Sequence, residues 1–318
     1  MKRRYVVTGG AGFIGSCLVR ELLALPGGNE VAVVDNLLTG YRKNLDEVKD
    51  RITFHEVDIC DFDGVKKALE GADTVFHLAA IPSVPRSIND PVPSHEVNIN
   101  GTFNVLSAAH QNKVRRVVYA ASSSAYGDTD VLPKVEDMQP RPKSPYAAQK
   151  LMGEYYCSVF TSCFGLETVG LRFFNVYGPR QDPNSPYSGV LSLFMKHLIA
   201  GTQPTMHGDG EQTRDFTFVE DVAGLLIKAS NAEGAAIGNT YNAGNGNRYS
   251  LNTVWDALQK IEGVSIPPAY GPSRAGDVRD SQACIEAAVR DLGHAPRFTL
   301  EEGLRRTLDW YKSDLAQR

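Results

Sequence analysis

Short apolar runs rich in β-branched residues alternate, through the first half of the chain, with segments whose apolar positions recur every three or four residues. The runs at 5–8, 31–35, 52–55, 74–77, 117–121 and 167–173 predict strands, and the segments at 16–25, 65–69, 101–111 and 146–164 predict helices. Strands covered on both faces read as continuous apolar runs, so the alternation predicts an α/β fold built on a doubly wound parallel sheet. After Tyr177-Gly178-Pro179-Arg180 the pattern breaks into stretches punctuated by Pro and Gly, at 181–189 and 207–210. A smaller C-terminal α/β domain is expected there. The predicted division is 1–176 and 177–318, with part of the second stretch packing back on the first sheet.

The 318 residues are 42% hydrophobic and 22% charged, ordinary for a globular protein with a large core. A formal net charge of -4 leaves no broad basic surface, so a nucleic-acid partner is not expected. The five cysteines, Cys17, Cys60, Cys157, Cys163 and Cys284, form no CxxC pair, which fits a reducing cytoplasm. Lys2-Arg3-Arg4 looks like the start of a signal peptide, but glycines follow in place of an apolar core. No apolar run is long enough for a membrane span. The seven histidines are scattered without metal-ligand spacing, so no metal site is expected, and His77, just after a strand, reads as structural.

Gly9, Gly12 and Gly15 stand between the first strand and the first helix in the spacing GxxGxxG. Glycines there permit a tight turn and let N–H groups at a helix N-terminus approach a pyrophosphate. Phe13 and Ile14 lie inside the same turn. Asp35, at the end of the second strand, is placed to accept hydrogen bonds from a ribose diol, with Asn36 beside it. That carboxylate favours NAD over NADP, although nearby Arg42 keeps dual specificity open. Asp58 and Ile59, after another strand, are candidates for adenine contact, with Asp58 equally a capping residue.

Tyr146 and Lys150 project from one face of a predicted helix that opens with Ser144-Pro145. A YxxxK pair alone says little. Here a strand also delivers Ser122, Ser123 and Ser124 to the carboxyl edge of the sheet, where doubly wound folds bind ligands. A phenol is a poor base at neutral pH, but a neighbouring ammonium and an oxidised nicotinamide would stabilise its phenolate, while Ser122 holds the substrate oxygen.

Eight motifs occur in order: TGGAGFIG, HLAA, NINGT, SSSAYG, YAAQK, RFFNVYGPR, GDGEQTRDF and AGDVRDS. With them the chain resembles, over nearly its whole length, the extended short-chain dehydrogenase/reductases that act on nucleotide sugars. The resemblance implies a Rossmann domain, tightly held NAD, a UDP-sugar substrate and a homodimer. It also implies that Tyr146 is the proton acceptor, with Lys150 and Ser122 as its partners. Leu78, Ala79, Ala80 and Asn98 would complete the cofactor site. Ser83, Ser123, Ser124, Asn175, Arg214, Arg274, Asp277 and Ser281 would meet the substrate.

Dehydratases and decarboxylases of this superfamily usually carry an acid just after the catalytic Ser or Thr, where this chain has Ser123 and Ser124. That difference points to a UDP-hexose 4-epimerase. The stretches at 83–91 and 132–137 resemble epimerases that accept N-acetylated UDP-hexoses, and Ser281 would leave room at C2. The alternatives are a UDP-glucuronate 4-epimerase, another C4-oxidising relative, or a dinucleotide-sensing protein without chemistry.

Overall fold

Each predicted apolar run forms a strand, and the sheet they build places the glycine turn at 9–15 and the serines at 122–124 at one edge. The computed structural model describes residues 2–182, 189–272 and 278–316. In chain order the elements of the first half are β1 (Arg4–Thr8), α1 (Phe13–Ala24), β2 (Glu30–Val34), β3 (Ile52–His55), α2 (Phe62–Ala68), β4 (Thr74–His77), α3 (Val84–Asn89), α4 (Pro91–His95), α5 (Thr102–Gln111), β5 (Arg116–Ser122), α6 (Pro145–Phe164) and β6 (Glu167–Phe173). Then follow β7 (Asn175–Tyr177), α7 (Val190–Ala200), β8 (Thr205–His207), β9 (Thr213–Arg214), β10 (Phe216–Phe218), α8 (Val219–Asn231), β11 (Thr240–Ala243), β12 (Tyr249–Ser250), α9 (Leu251–Glu262), β13 (Ala269–Gly271), α10 (Glu286–Leu292) and α11 (Leu300–Ala316).

Among the described residues, seven strands form one sheet in the order β11-β6-β5-β4-β1-β2-β3, with every pair parallel. The order reverses between β1 and β4, and a crevice opens outside the carboxyl ends of strands at such a point. On one face α1, α8 and α10 bury Leu18, Leu22, Leu226 and Leu292. The other is covered by α2, α5 and α6 through Val65, Leu106 and Phe160. A third core, with Phe194, Trp255 and Leu308, lies under α7, α9 and α11. The Leu18 and Leu22 side chains are fully buried, so truncating either to Ala costs about 2–5 kcal/mol.

The helix that carries Tyr146 and Lys150 is specified locally. Ser144 accepts the Ala147 N–H at the N-cap, Pro145 occupies the first turn, and Gly165 ends the helix at φ 70°. Two differences from the predicted pattern have simple causes. Helix α2 starts at Phe62, three residues before the predicted 65, because Asp61 caps it. Helices α3 and α4 lie outside the predicted set, since Pro85, Pro91 and Pro93 read as breakers although proline is tolerated in a first turn.

Candidate active site

A cavity of about 880 Å³ lies along the crevice between the ends of β1 and β4. Gly9, at φ 70°, makes the turn out of β1, and a Cβ there would sit 2.7 Å from Ala79 N. A Cβ on Gly15 would sit 2.2 Å from Gly9 O, so both glycines are needed for close backbone packing. Helix α1 begins at Phe13 with no side-chain cap and no acid in its first turn. Its first N–H groups, at Phe13, Ile14 and Gly15, therefore face the cavity as donors for an anion.

Asp35 stands one residue beyond β2. Its carboxylate accepts Ala11 N–H at 2.9 Å and Leu37 N–H at 2.8 Å. Burial pushes this carboxyl above the usual range, and the two backbone bonds oppose the shift. Leu37 takes a left-handed conformation at φ 59°, and the carboxylate bond to its N–H holds that turn. Arg42 is turned away from this pocket: it pairs with Glu56 at 2.6 Å and lies over the Phe54 ring at 4.2 Å. Asn36 lines the cavity and donates to Asp58 Oδ2 at 2.8 Å, while Asp58 Oδ1 accepts Cys60 N–H.

Strand β5 ends on Ser122, and α6 brings Tyr146 and Lys150 to the same wall. Ser122 Oγ lies 2.8 Å from Ser124 Oγ and accepts the Ser124 N–H. Burial pushes the Tyr146 phenol above its ordinary value, and hydrogen bonding to Ser122 pulls the other way. Lys150 is buried apart from what it shows to the cavity. Its Nζ donates to Ala120 O at 2.8 Å and lies 5.1 Å from the centre of the Tyr119 ring. Loss of hydration lowers the ammonium to about 8. One of the three ammonium N–H groups is thus taken by Ala120 O, and the phenol sits high in the cofactor-free protein.

The cavity wall holds the predicted Gly9, Gly12, Phe13, Ile14, Gly15, Asp35 and Asn36, then Ile59, Leu78, Ala79 and Ala80. Ser83, Ser122, Tyr146, Lys150 and Asn175 complete the predicted set that lines it. Asp58, Asn98, Ser123, Ser124, Arg214 and Ser281 stand off the wall. Asn98 is buried, and its amide is engaged by Ile81 and Gln149. Arg214 donates to the carbonyls of Thr213 and Arg279, and Ser281 N–H donates to Thr213 O. Arg274 and Asp277 lie outside the described residues. Pattern reading missed Tyr41, Arg86, Phe173 and Asp182, which also line the cavity. Tyr41 OH donates to Asp182 Oδ2 at 2.8 Å across the mouth, a contact between residues 141 apart that no local signal carries.

Behind Ser122, the turn of Ser123–Tyr126 is braced by buried polar groups. Tyr126 OH donates to Asn242 Oδ1 at 2.6 Å, and the Arg172 guanidinium lies 4.6 Å over the Tyr126 ring. Arg172 in turn holds Glu154 at 3.0 and 2.8 Å. Among the described residues no group of three or more His, Cys, Asp or Glu could hold a metal ion, and no helix is long and apolar enough to cross a membrane.

A family model described as the NAD dependent epimerase/dehydratase family matches residues 5–244. A UDP-glucose 4-epimerase of Mycolicibacterium smegmatis is 38% identical over 314 residues, covering 98% of this chain and 99% of its own length. Among solved structures, the UDP-N-acetylglucosamine 4-epimerase of Methanobrevibacter ruminantium in complex with UDP-N-acetylmuramic acid matches with a TM-score of 0.93 at 36% identity, over 99% of this chain and 100% of that one. The UDP-glucuronic acid 4-epimerase of Bacillus cereus, in complex with UDP-glucuronic acid and NAD, matches with a TM-score of 0.90 at 33% identity, over 98% and 99%.

Proposed function

The chain belongs to the NAD dependent epimerase/dehydratase family, and on that premise we propose that it is a UDP-hexose 4-epimerase. It would interconvert the C4 epimers of UDP-glucose and of UDP-N-acetylglucosamine through a transient 4-keto sugar. The observation that carries this reading is the acid content of the cavity. Its two carboxylates among the described residues are Asp35, held by Ala11 and Leu37, and Asp182, held by Tyr41. Neither stands beside Ser122 or Tyr146 as a spare proton donor. Elimination of water or assisted decarboxylation needs such an acid, whereas reversible oxidation at C4 does not.

The glycine cradle, the open N–H groups of α1 and the Asp35 carboxylate fit a dinucleotide without a 2′-phosphate. When bound, NAD supplies the hydride acceptor and donor for C4 and brings a positive ring beside the phenol. Tyr146 Oη takes the O4 proton and returns it. Ser122 Oγ holds O4 during the transfer, and the Lys150 ammonium anchors the ribose. Asn175, which lines the cavity, would meet the diphosphate, with Arg214 and Arg274 as further phosphate ligands. Ser281 stands off the described cavity wall, and in this reading its small side chain would leave space for a C2 acetamido group once the sugar is bound. Five free cysteines fit a cytoplasmic enzyme. The apolar residues left exposed on α5 and α6 would bury one another in a homodimer.

A second reading, a UDP-glucuronate 4-epimerase, has one observation in its favour. Arg86 lines the cavity and makes no ion pair among the described residues, so it is a cation available to a hexuronate carboxylate. Incubating the purified enzyme, without added cofactor, with UDP-glucose, UDP-N-acetylglucosamine and UDP-glucuronate separates the readings. Epimers of the first two are expected, and Ser281→Tyr should abolish turnover of the acetylated sugar alone. Turnover of UDP-glucuronate alone would select the second reading. A 4-keto-6-deoxy sugar or released carbon dioxide would refute both.

A further inference from the structure

His77, at the end of β4, has 1% of its surface exposed and lies behind the cavity wall. Its Nδ1 is 2.8 Å from Thr8 Oγ1 and its Nε2 is 3.0 Å from Thr102 Oγ1. The directions of these bonds follow from proton counting. The Thr102 hydroxyl donates its one proton to Asn98 O at 2.8 Å, so its oxygen is left to accept Nε2–H. A neutral imidazole with its proton on Nε2 has a bare Nδ1, which accepts the Thr8 hydroxyl. The Thr8 oxygen in turn accepts the Ala79 N–H at 3.3 Å.

Beyond Thr102 the chain of bonds continues toward the site. Asn98 Oδ1 accepts Ile81 N–H at 2.8 Å, and Asn98 Nδ2 donates to Ile81 O at 3.2 Å and to Gln149 Oε1 at 2.8 Å. Gln149 Nε2 then donates to Ser94 Oγ at 3.0 Å. Ala79 and Ile81 line the cavity, while Gln149 sits on α6 directly before Lys150. The imidazole also lies 5.7 Å from the Tyr119 ring, whose hydroxyl donates to Lys150 O at 3.2 Å. A fully satisfied buried network of this kind has one arrangement, and a partly satisfied one does not hold.

We propose that His77 is a positioning residue: as a neutral Nε2–H imidazole it ties the cavity wall at Ala79 and Ile81, through Thr102 and Asn98, to the helix that carries Tyr146 and Lys150. The spacing between the bound dinucleotide and those two side chains is thereby set from behind the wall. The catalytic part of this inference rests on the reading of Tyr146 and Lys150 given above. The electrostatics support a permanently neutral ring. Burial, together with the Lys150 charge that faces it from α6, lowers the imidazole to about 3. An apolar side chain at 77 would strand the Thr8 hydroxyl proton, whereas glutamine offers both an acceptor oxygen and an NH2 donor and can keep the chain intact.

The test has two arms. Long-range proton–nitrogen correlation spectra of the holoenzyme, with all seven histidines labelled, are recorded from about pH 5.5 to about pH 9, a range in which an ordinary histidine changes charge. The His77 signal is identified by its loss in His77→Gln. The expected signature is a proton on Nε2, a bare Nδ1 and no titration. A ring that titrates, or one protonated on Nδ1, overturns the proposal whatever the substrate of the enzyme. In the second arm, His77→Leu should lower kcat about 10- to 100-fold with KM within about 3-fold and should speed loss of NAD. His77→Gln should restore most of both. Unchanged kcat and cofactor retention in His77→Leu overturn the proposal, and if that variant does not fold, Thr102→Val, which removes the acceptor of Nε2–H, gives the same reading. Failure of the epimerase reading looks different: the wild-type protein would turn over no nucleotide sugar, while its spectra and NAD retention stayed as expected.

Discussion

Lys150 holds its charge under unfavourable conditions, buried at the cavity wall and with Ala120 O as its hydrogen-bond acceptor. Burial brings its ammonium down to about 8 from an ordinary 10.5. Below pH 8 both folded and unfolded chains carry the proton, and folding bears the full desolvation cost. Between the two values the unfolded chain binds a proton that the folded one lacks, so this group makes stability rise with pH. Removing the amine in Lys150→Met should therefore stabilise the cofactor-free protein at pH 7 by about 1–3 kcal/mol, since a tenfold change in proton affinity is worth about 1.4 kcal/mol. The gain should disappear near pH 10.5. Thermal denaturation at the two pH values checks this, and a lower melting temperature at pH 7 would contradict it. The same variant should lose NAD. Tyr146→Phe, in contrast, should keep its NAD while turnover falls about 10²- to 10⁴-fold, the usual worth of a positioned acid or base.

The segment after β2 shows how an element decides cofactor choice. Asp35 both faces the ribose pocket and supports its loop through Ala11 and Leu37, while Arg42 is engaged by Glu56 and Phe54. Asp35→Ser alone should then weaken NAD binding and gain little NADP. Adding Glu56→Gln should free Arg42 and admit NADP, as fluorescence titration with each dinucleotide would reveal. A full switch by Asp35→Ser alone would show that the Glu56 pair does not restrain Arg42. The glycine turn, β1 to β6 and α6 were legible in the sequence because each carries its own signal: continuous apolar runs, a cap and glycines where only glycine fits. Less was legible where distant segments meet. Strand β11 joins the edge of the sheet beside β6 with Asn242 buried in it, and its four residues hold too short an apolar run to give a strand signal. Asn98 sits in a motif that implies a cofactor contact, yet its amide is engaged behind the wall by Gln149, 51 residues away.

Among the described residues, α5 and α6 leave apolar side chains without cover. Phe103 on α5 and Tyr155, Val159 and Phe164 on α6 are exposed, on helices that pack against each other. In the proposed homodimer a second copy would cover these side chains. Tyr155→Glu with Val159→Glu should convert a dimer to a monomer in sedimentation velocity, and an unchanged dimer would place the interface elsewhere. The proposed chemistry turns on the path of one hydrogen atom. In a 4-epimerase of this design the C4 hydrogen leaves and returns within one enclosed site, without exchange with water or release as free NADH. Turnover of UDP-[4-²H]glucose, followed by mass spectrometry and NMR of the products, tests this directly. Deuterium kept at C4 of the epimer is the predicted result, and label found at C6, in solvent or in released NADH would contradict it.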